Sequence, residues 1–249
     1  MSKLSIAPIK NFFLDLLFPV RCLICLKSSP PTEGQEDYVC SSCLEKVKFK
    51  VEPECTFCSS RSLNGQTCPF CRQDHYLDFL WAAADYEEPI VKKALWAFKY
   101  RFIKDLQMPL ANLLEDYLRR KKIDKLLENY HQQILLVPIP LHQRRFNWRS
   151  YNQSQLLAQS LAKKFNLKME NNVLLRLKHK TPQAELKDKR ERTRNSKNIF
   201  ACPRSDLVQG KVVILVDDIS TTGSTLDEAA RILKKSGAEK VIGLVVAKG

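Results

Sequence analysis

The sequence predicts an α/β fold, a mainly parallel sheet flanked by helices and preceded by a small cysteine-rich domain. Three observations predict it. The C-terminal residues run apolar strand, hydroxyl-rich loop, helix, apolar strand, which is a βαβ unit. Eight of the nine cysteines fall in four Cys-x-x-Cys pairs that end at Cys71. Beyond that point longer apolar periodicities begin, so residues 1–75 and 76–249 are expected as two domains. A hydrophobic content of 44% with 9% aromatics is that of a folded chain.

The first expected element is a short amphipathic helix over Phe12–Phe18, interrupted by Asp15 and stopped by Pro19. It is expected to pack on its own protein, a membrane or partner contact being the alternative. No run of about 18 apolar residues exists to span a bilayer. No small-residue cleavage site follows the helix either, so the cytoplasm is the expected address.

The pairs Cys22/Cys25, Cys40/Cys43, Cys55/Cys58 and Cys68/Cys71 come next. Two thiolates three positions apart on a tight turn face one tetrahedral Zn²⁺, and two such knuckles close a Cys₄ site with no open position. Two structural sites are therefore expected. Consecutive pairing of the knuckles is favoured, but interleaved pairing uses the same residues. A disulfide framework would need an oxidising compartment. His75 is expected to face solvent and Cys202 to serve as a small apolar residue. So small a domain depends on metal to fold. Its nine Lys/Arg against eight Asp/Glu argue against strong phosphate-backbone binding by this part alone.

The net charge of +14 lies elsewhere: residues 140–200 carry fifteen Lys/Arg against four Asp/Glu, which points to an anionic partner. Apolar spacing from Ile90 to Lys122 predicts two helices broken near Pro109. Ile134–Leu141 reads as a buried strand ending in prolines, followed by a basic loop from His142 to Arg149. A helix through Leu156, Leu157, Leu161 and Phe165 follows, then a short strand at Val173–Leu175 and a mobile basic loop from Lys178 to Asn198. The strand Lys211–Asp217, the helix Thr225–Lys235 stopped at Gly237, and the strand Lys240–Val246 complete the chain.

The loop between that strand and helix carries the chemistry. In Asp217-Asp218-Ile219-Ser220-Thr221-Thr222-Gly223-Ser224-Thr225 the free amides of a helix N-terminus suit a phosphate. Gly223 permits a tight turn, the hydroxyls add donors, and the two carboxylates are acceptors for a sugar diol. The expected ligand is a ribose 5-phosphate moiety. No Gly-Lys-Ser/Thr ending is present, so it is not a Walker loop.

The run Val213–Thr225 resembles the phosphoribosyl pyrophosphate (PRPP) signature of type I phosphoribosyltransferases. With the four Cys-x-x-Cys pairs, the chain resembles the ComF family of competence-associated proteins over nearly its whole length. Further matching segments are Leu17-Phe18-Pro19, Phe98-Lys99-Tyr100, Pro138–Leu141, Arg149-Ser-Tyr-Asn-Gln153, Thr181-Pro-Gln183 and Arg194-Asn195 with Phe200. The resemblance implies a type I phosphoribosyltransferase-like sheet behind a double zinc ribbon. It implies that Asp217 and Asp218 hold the ribose hydroxyls, that Ser220 and Thr221 to Thr225 hold the 5-phosphate, and that Arg144, Arg145 and Arg149 face the pyrophosphate. Asp217, Asp218 and Arg149 are the implied catalytic residues, with Mg²⁺ bound mainly through the ligand's oxygens. Lys178 to Asn198 corresponds to the loop that closes over the site in relatives. Ser150 stands where the family commonly has Gly.

The implied reaction displaces pyrophosphate from the sugar, with arginines offsetting the departing charge. No segment specifies the acceptor. A second reading is a non-enzymatic handler of single-stranded DNA during natural transformation, with Phe146, Trp148 and Tyr151 as stacking surfaces among arginines. A third is docking of a competence-machinery protein by the ribbons.

Overall fold

The computed structural model describes residues 20–28, 38–50, 53–177 and 199–249. The helix expected over Phe12–Phe18, the neighbouring Leu17-Phe18-Pro19, and the segment Lys178 to Asn198 with Thr181-Pro-Gln183 and Arg194-Asn195 lie outside the described residues.

A knuckle helix, α1 (Ser41–Leu44), precedes the sheet. Then follow β1 (Phe79–Asp85), α2 (Pro89–Tyr100), α3 (Gln107–Arg120), α4 (Asp124–Asn129), β2 (Ile134–Pro138), α5 (Gln143–Arg149), α6 (Gln153–Phe165) and β3 (Lys168–Met169). The chain continues through β4 (Leu175–Arg176), β5 (Phe200–Ala201), β6 (Val212–Ser220), α7 (Ser224–Lys235) and β7 (Lys240–Lys248). The main sheet is five-stranded and wholly parallel, in the order β1-β7-β6-β2-β3, while β4 and β5 pair antiparallel beside it. Helices on both faces bury it, which is why β2 and the first half of β6 are continuously apolar. The α/β expectation holds.

Four details differ from the sequence reading. The strand β1 was not foreseen. The helix break falls at residues 101–106, and Pro109 sits in the first turn of α3, where a missing N–H costs no helical bond. The segment read as a basic loop is the helix α5, capped by His142 Nδ1, which accepts from Arg144 N at 3.2 Å. The short strand predicted at Val173–Leu175 starts two residues later, at Leu175, because only Leu175 and Arg176 find ladder partners, in Ala201 and Phe200.

Two hydrophobic cores lie on the sheet. The first joins α2, α3 and α6 to β1, and it includes Cys22, Val39, Cys43 and Val47 from the cysteine-rich region. The second joins α7 to β6 and β7, with Phe57 packed at its margin. The same region covers the outer edge of β1: Phe49 bridges Ala84, Lys50 N donates to Ala83 O at 2.8 Å, and Gln66 bridges Phe79. A bare edge strand is a template for aggregation, and here it is capped from within the chain. No helix among the described residues is long and apolar enough to cross a membrane.

Candidate functional site

In the strand order, β2 leads outward to β3 on one side and β6 leads to β7 on the other. The switch therefore lies between β2 and β6, and the crevice beyond their carboxyl ends is where such sheets collect ligands. Ile139 N donates to Val216 O at 3.0 Å across that seam, and Asn152 Nδ2 donates to Ile139 O at 3.0 Å. Asn152 also caps α6, accepting from Ser154 N at 3.1 Å. The tyrosine of the Arg149–Gln153 segment is buried and donates to Phe98 O. Tyr151 is thus a core residue and not the stacking surface that the single-stranded DNA reading would make of it.

Asp217 and Asp218 occupy the end of β6, where successive side chains diverge. Asp217 Oδ1 accepts from Ser154 Oγ at 2.8 Å and from Asp218 N at 2.9 Å. Burial first, and then the adjacent Asp218 carboxylate, push Asp217 up to about 7. Asp218 instead pairs with Lys99 of α2 at 3.0 Å. Opposite them stands a cationic wall. Arg149 is buried, with its guanidinium over the rings of Tyr100 (5.8 Å) and Trp148 (5.7 Å), and burial depresses its ionisation. Arg176 of β4 is depressed in the same way, and the charge of Arg145 depresses both further. Arg145 is half-buried and Arg144 is exposed. Ser150 carries the αL turn that ends α5, at φ 64°, which accounts physically for a glycine preference there.

The hydroxyl loop leaves the end of β6. Gly223 takes φ 75° as the N-terminal cap of α7, and Thr222 Oγ1 donates to Ser224 Oγ at 3.0 Å. The buried Oγ of Ser220 and Nε of Arg149 have no hydrogen-bond partner among the described residues. Buried polar atoms left unpaired are costly, so these two suit a bound polar ligand. Sequence reasoning missed Lys99 and Arg176 as members of this site, although Lys99 lies in one of the matching segments.

The cysteines resolve into two groups, Cys22/Cys25/Cys40/Cys43 and Cys55/Cys58/Cys68/Cys71, with the sulfurs of each within 4.8 Å of one another. This is the consecutive pairing. The Sγ separations Cys22–Cys43 and Cys25–Cys40 are 3.8 Å, and Cys58–Cys68 is 3.7 Å. A tetrahedron with Zn–S bonds of about 2.3 Å has edges of about 3.8 Å, so both groups fit structural Zn²⁺. His75 is not solvent-facing: it is half-buried, stacked on Phe57, with Nδ1 2.8 Å from Asp227 Oδ2.

Fold and site together define a phosphoribosyltransferase-type α/β domain joined to a double zinc ribbon. The phosphoribosyl transferase domain family matches residues 152–249, and the double zinc ribbon domain family matches residues 13–74. Competence protein F of Haemophilus influenzae is 32% identical over 231 residues, covering 90% of this chain and 95% of that protein. DNA utilization protein YhgH of Escherichia coli is 40% identical over 107 residues, 43% of this chain and 45% of YhgH. Competence protein ComFC of Bacillus subtilis is 27% identical over 209 residues, 81% of this chain and 80% of ComFC. The chain belongs to the ComF family.

Proposed function

We propose that the chain binds PRPP with Mg²⁺ in the crevice between β2 and β6 and transfers its phosphoribosyl group in the service of DNA uptake. The observation that carries this reading is the convergence of three elements at one switch point: a hydroxyl loop on a helix N-terminus, two carboxylates, and the guanidiniums of Arg145, Arg149 and Arg176. The loop Thr221–Thr225 would take the 5-phosphate, and Asp217 with Asp218 the ribose hydroxyls. As the C1–O bond breaks, its electron pair leaves with pyrophosphate, a lone pair of a nucleophilic acceptor forms the new bond to C1, and the arginines offset the departing charge. Asp218 is already paired with Lys99, so the two carboxylates form no all-protein cage for Mg²⁺. The ion would be held through the ligand's own oxygens and would neutralise part of the phosphate charge. Eight cysteines grouped to hold zinc as thiolates must stay reduced, and we place the chain in the cytoplasm on that ground.

Calorimetric titration with PRPP and Mg²⁺ tests this. Binding that is lost in Asp217→Asn/Asp218→Asn supports the site. Absence of binding by the zinc-loaded protein sinks the transferase reading.

A specific surface favours the second reading, single-stranded DNA. Trp96, Tyr100, Phe102, Phe146 and Trp148 are all exposed. Arg101 lies over Trp96 at 5.2 Å, and Phe102 meets Trp148 edge-on at 5.1 Å. Aromatic faces interleaved with arginines suit stacked bases and a phosphate backbone. An oligo-dT titration that weakens steeply with salt, and weakens further in Trp96→Ala/Trp148→Ala, would support it.

A further inference from the structure

We infer that the second zinc knuckle positions the anion loop, so that zinc at Cys55, Cys58, Cys68 and Cys71 and an anion at Thr221–Thr225 strengthen each other's binding. The inference rests on the anion-site reading above and adds to it a coupling between two sites.

The contact is direct. Thr56 and Phe57, the two residues between Cys55 and Cys58, press on Gly223. A Cβ built on Gly223 would overlap Thr56 Cγ2 and lie 3.3 Å from Phe57 Cε1. Gly223 already needs a φ of 75°, so its lack of a side chain is required twice, by the turn and by the knuckle. A second path closes the circuit. The Phe57 ring stacks on His75 with centroids 3.5 Å apart and planes 4° from parallel. His75 bonds Asp227 Oδ2, while Asp227 Oδ1 accepts from Tyr76 N at 2.7 Å and Leu77 N at 3.0 Å. Asp227 lies in the first turn of α7, and its own N–H donates to Gly223 O at 2.9 Å. Gly223, at the middle of the loop, is therefore held along two paths that both start from the knuckle.

A small zinc knuckle holds its shape only with metal bound. Loss of zinc frees Thr56 and Phe57, and the loop loses the wall that sets Gly223. An anion that needs the amides of this turn preorganised then binds more weakly. By reciprocity the anion must raise the zinc affinity of this cluster by the same free energy, and leave the other cluster unaffected.

The test uses the full zinc-loaded chain, ribose 5-phosphate as probe, and equilibrium competition with a chromogenic chelator to read zinc affinity. Ribose 5-phosphate should raise the affinity of one of the two zinc equivalents by about tenfold, within the ordinary range of such couplings. Phe57→Ala should retain both zincs and the wild-type circular dichroism, bind ribose 5-phosphate about tenfold more weakly, and lose the rise in zinc affinity. His75→Ala removes the stacking partner from outside the knuckle and should act in the same direction, which keeps the test open if Phe57→Ala does not fold. If the wild type binds ribose 5-phosphate but both zinc affinities are unchanged, the coupling is wrong and the anion site stands. If the zinc-loaded wild type does not bind ribose 5-phosphate, the anion-site reading falls and the coupling falls with it.

Discussion

The two zinc knuckles that open each Cys₄ group are near copies, 33 residues apart (Cys22 to Cys55, Cys25 to Cys58), yet they are attached to different things. In both, the residue after the second cysteine takes a left-handed turn, Leu26 at φ 62° and Ser59 at φ 58°. In both, the first cysteine's N–H closes the hairpin, on Lys27 O at 3.0 Å and on Ser60 O at 2.8 Å. The local physics is the same. The neighbours are not: Cys22 and Cys43 sit inside the first core with Val39, Val47 and Trp81, whereas the Cys55 knuckle lies against Gly223 and the second core. The first group is a staple for the sheet; the second, which also meets β1 through Gln66, is in addition a brace for a loop.

The largest effect should come from removing a ligand of the staple. Structural zinc contributes on the order of 10 kcal/mol in small zinc-dependent folds. Cys43→Ser should therefore unfold or strongly destabilise the whole chain, because the first core loses part of its wall. Cys58→Ser, at an exposed ligand of the brace, should lose one zinc while the sheet keeps a cooperative thermal transition. Circular dichroism melts with zinc stoichiometry read this directly. Equal losses of melting temperature in the two variants would erase the distinction.

Next in size is Gly223→Ala. The left-handed turn costs an alanine about 1–2 kcal/mol, and the overlap with Thr56 adds to it. Ribose 5-phosphate affinity should fall at least tenfold, with only a small change in the melting of the sheet. Trimming the obstacle with Thr56→Ser should restore part of the lost binding; no restoration would mean the knuckle does not set the loop.

The contact between positions 56 and 223 is the part that no local pattern announces. Ligand spacing, the βαβ unit and the hydroxyl loop are legible because each is a run of neighbours in the chain, and helix and strand limits came within three residues there, β6 running on past Asp217 to Ser220. The strand β1 was unreadable because Ala82, Ala83 and Ala84 carry no strand preference; pairing with β7 makes them a strand. Lys99 and Arg176 join the site from remote elements, so only the fold assigns them. Tyr151 and Trp148 look alike in sequence, yet one is buried and the other is 59% exposed, since composition does not say which side of a turn faces the core. His75 misled for the same reason.

The paired carboxylates repeat the contrast on a smaller scale and yield a pH prediction. Asp218 pairs with Lys99, while Asp217, which feels the same lysine only through space, meets Ser154, the adjoining carboxylate and the more distant Arg176. Asp217 titrates at about 7 in the fold against about 3.9 unfolded. Between those values the unfolded chain has released a proton that the native state keeps, so Asp217 lowers stability as pH rises from about 4 to about 7 and not further above it. Asp217→Asn should melt like the wild type near pH 4 and higher than it at pH 8. Because a sugar diol needs an acceptor, wild-type affinity for ribose 5-phosphate should rise several-fold from pH 6 to pH 8, and part of that rise should vanish in the variant. A constant difference in melting temperature across the range would show that Asp217 is ionised throughout.

The smallest effect bears most directly on the two knuckles, because it applies the same change to both. A left-handed non-glycine residue costs about 1–2 kcal/mol, and glycine returns roughly 0.5–1 kcal/mol of that through the freer unfolded chain. Leu26→Gly and Ser59→Gly should therefore each relieve about 0.5–1 kcal/mol. In the staple that gain belongs to the whole fold, and Leu26→Gly should raise the main melting transition by about 2 °C. In the brace it belongs mainly to the knuckle: Ser59→Gly should leave the melt almost unchanged, raise the affinity of one zinc equivalent about twofold to fivefold, and tighten ribose 5-phosphate slightly. Equal shifts of one transition by both variants would mean that the two knuckles are built into the fold to the same depth, and that the loop is not what the second one serves.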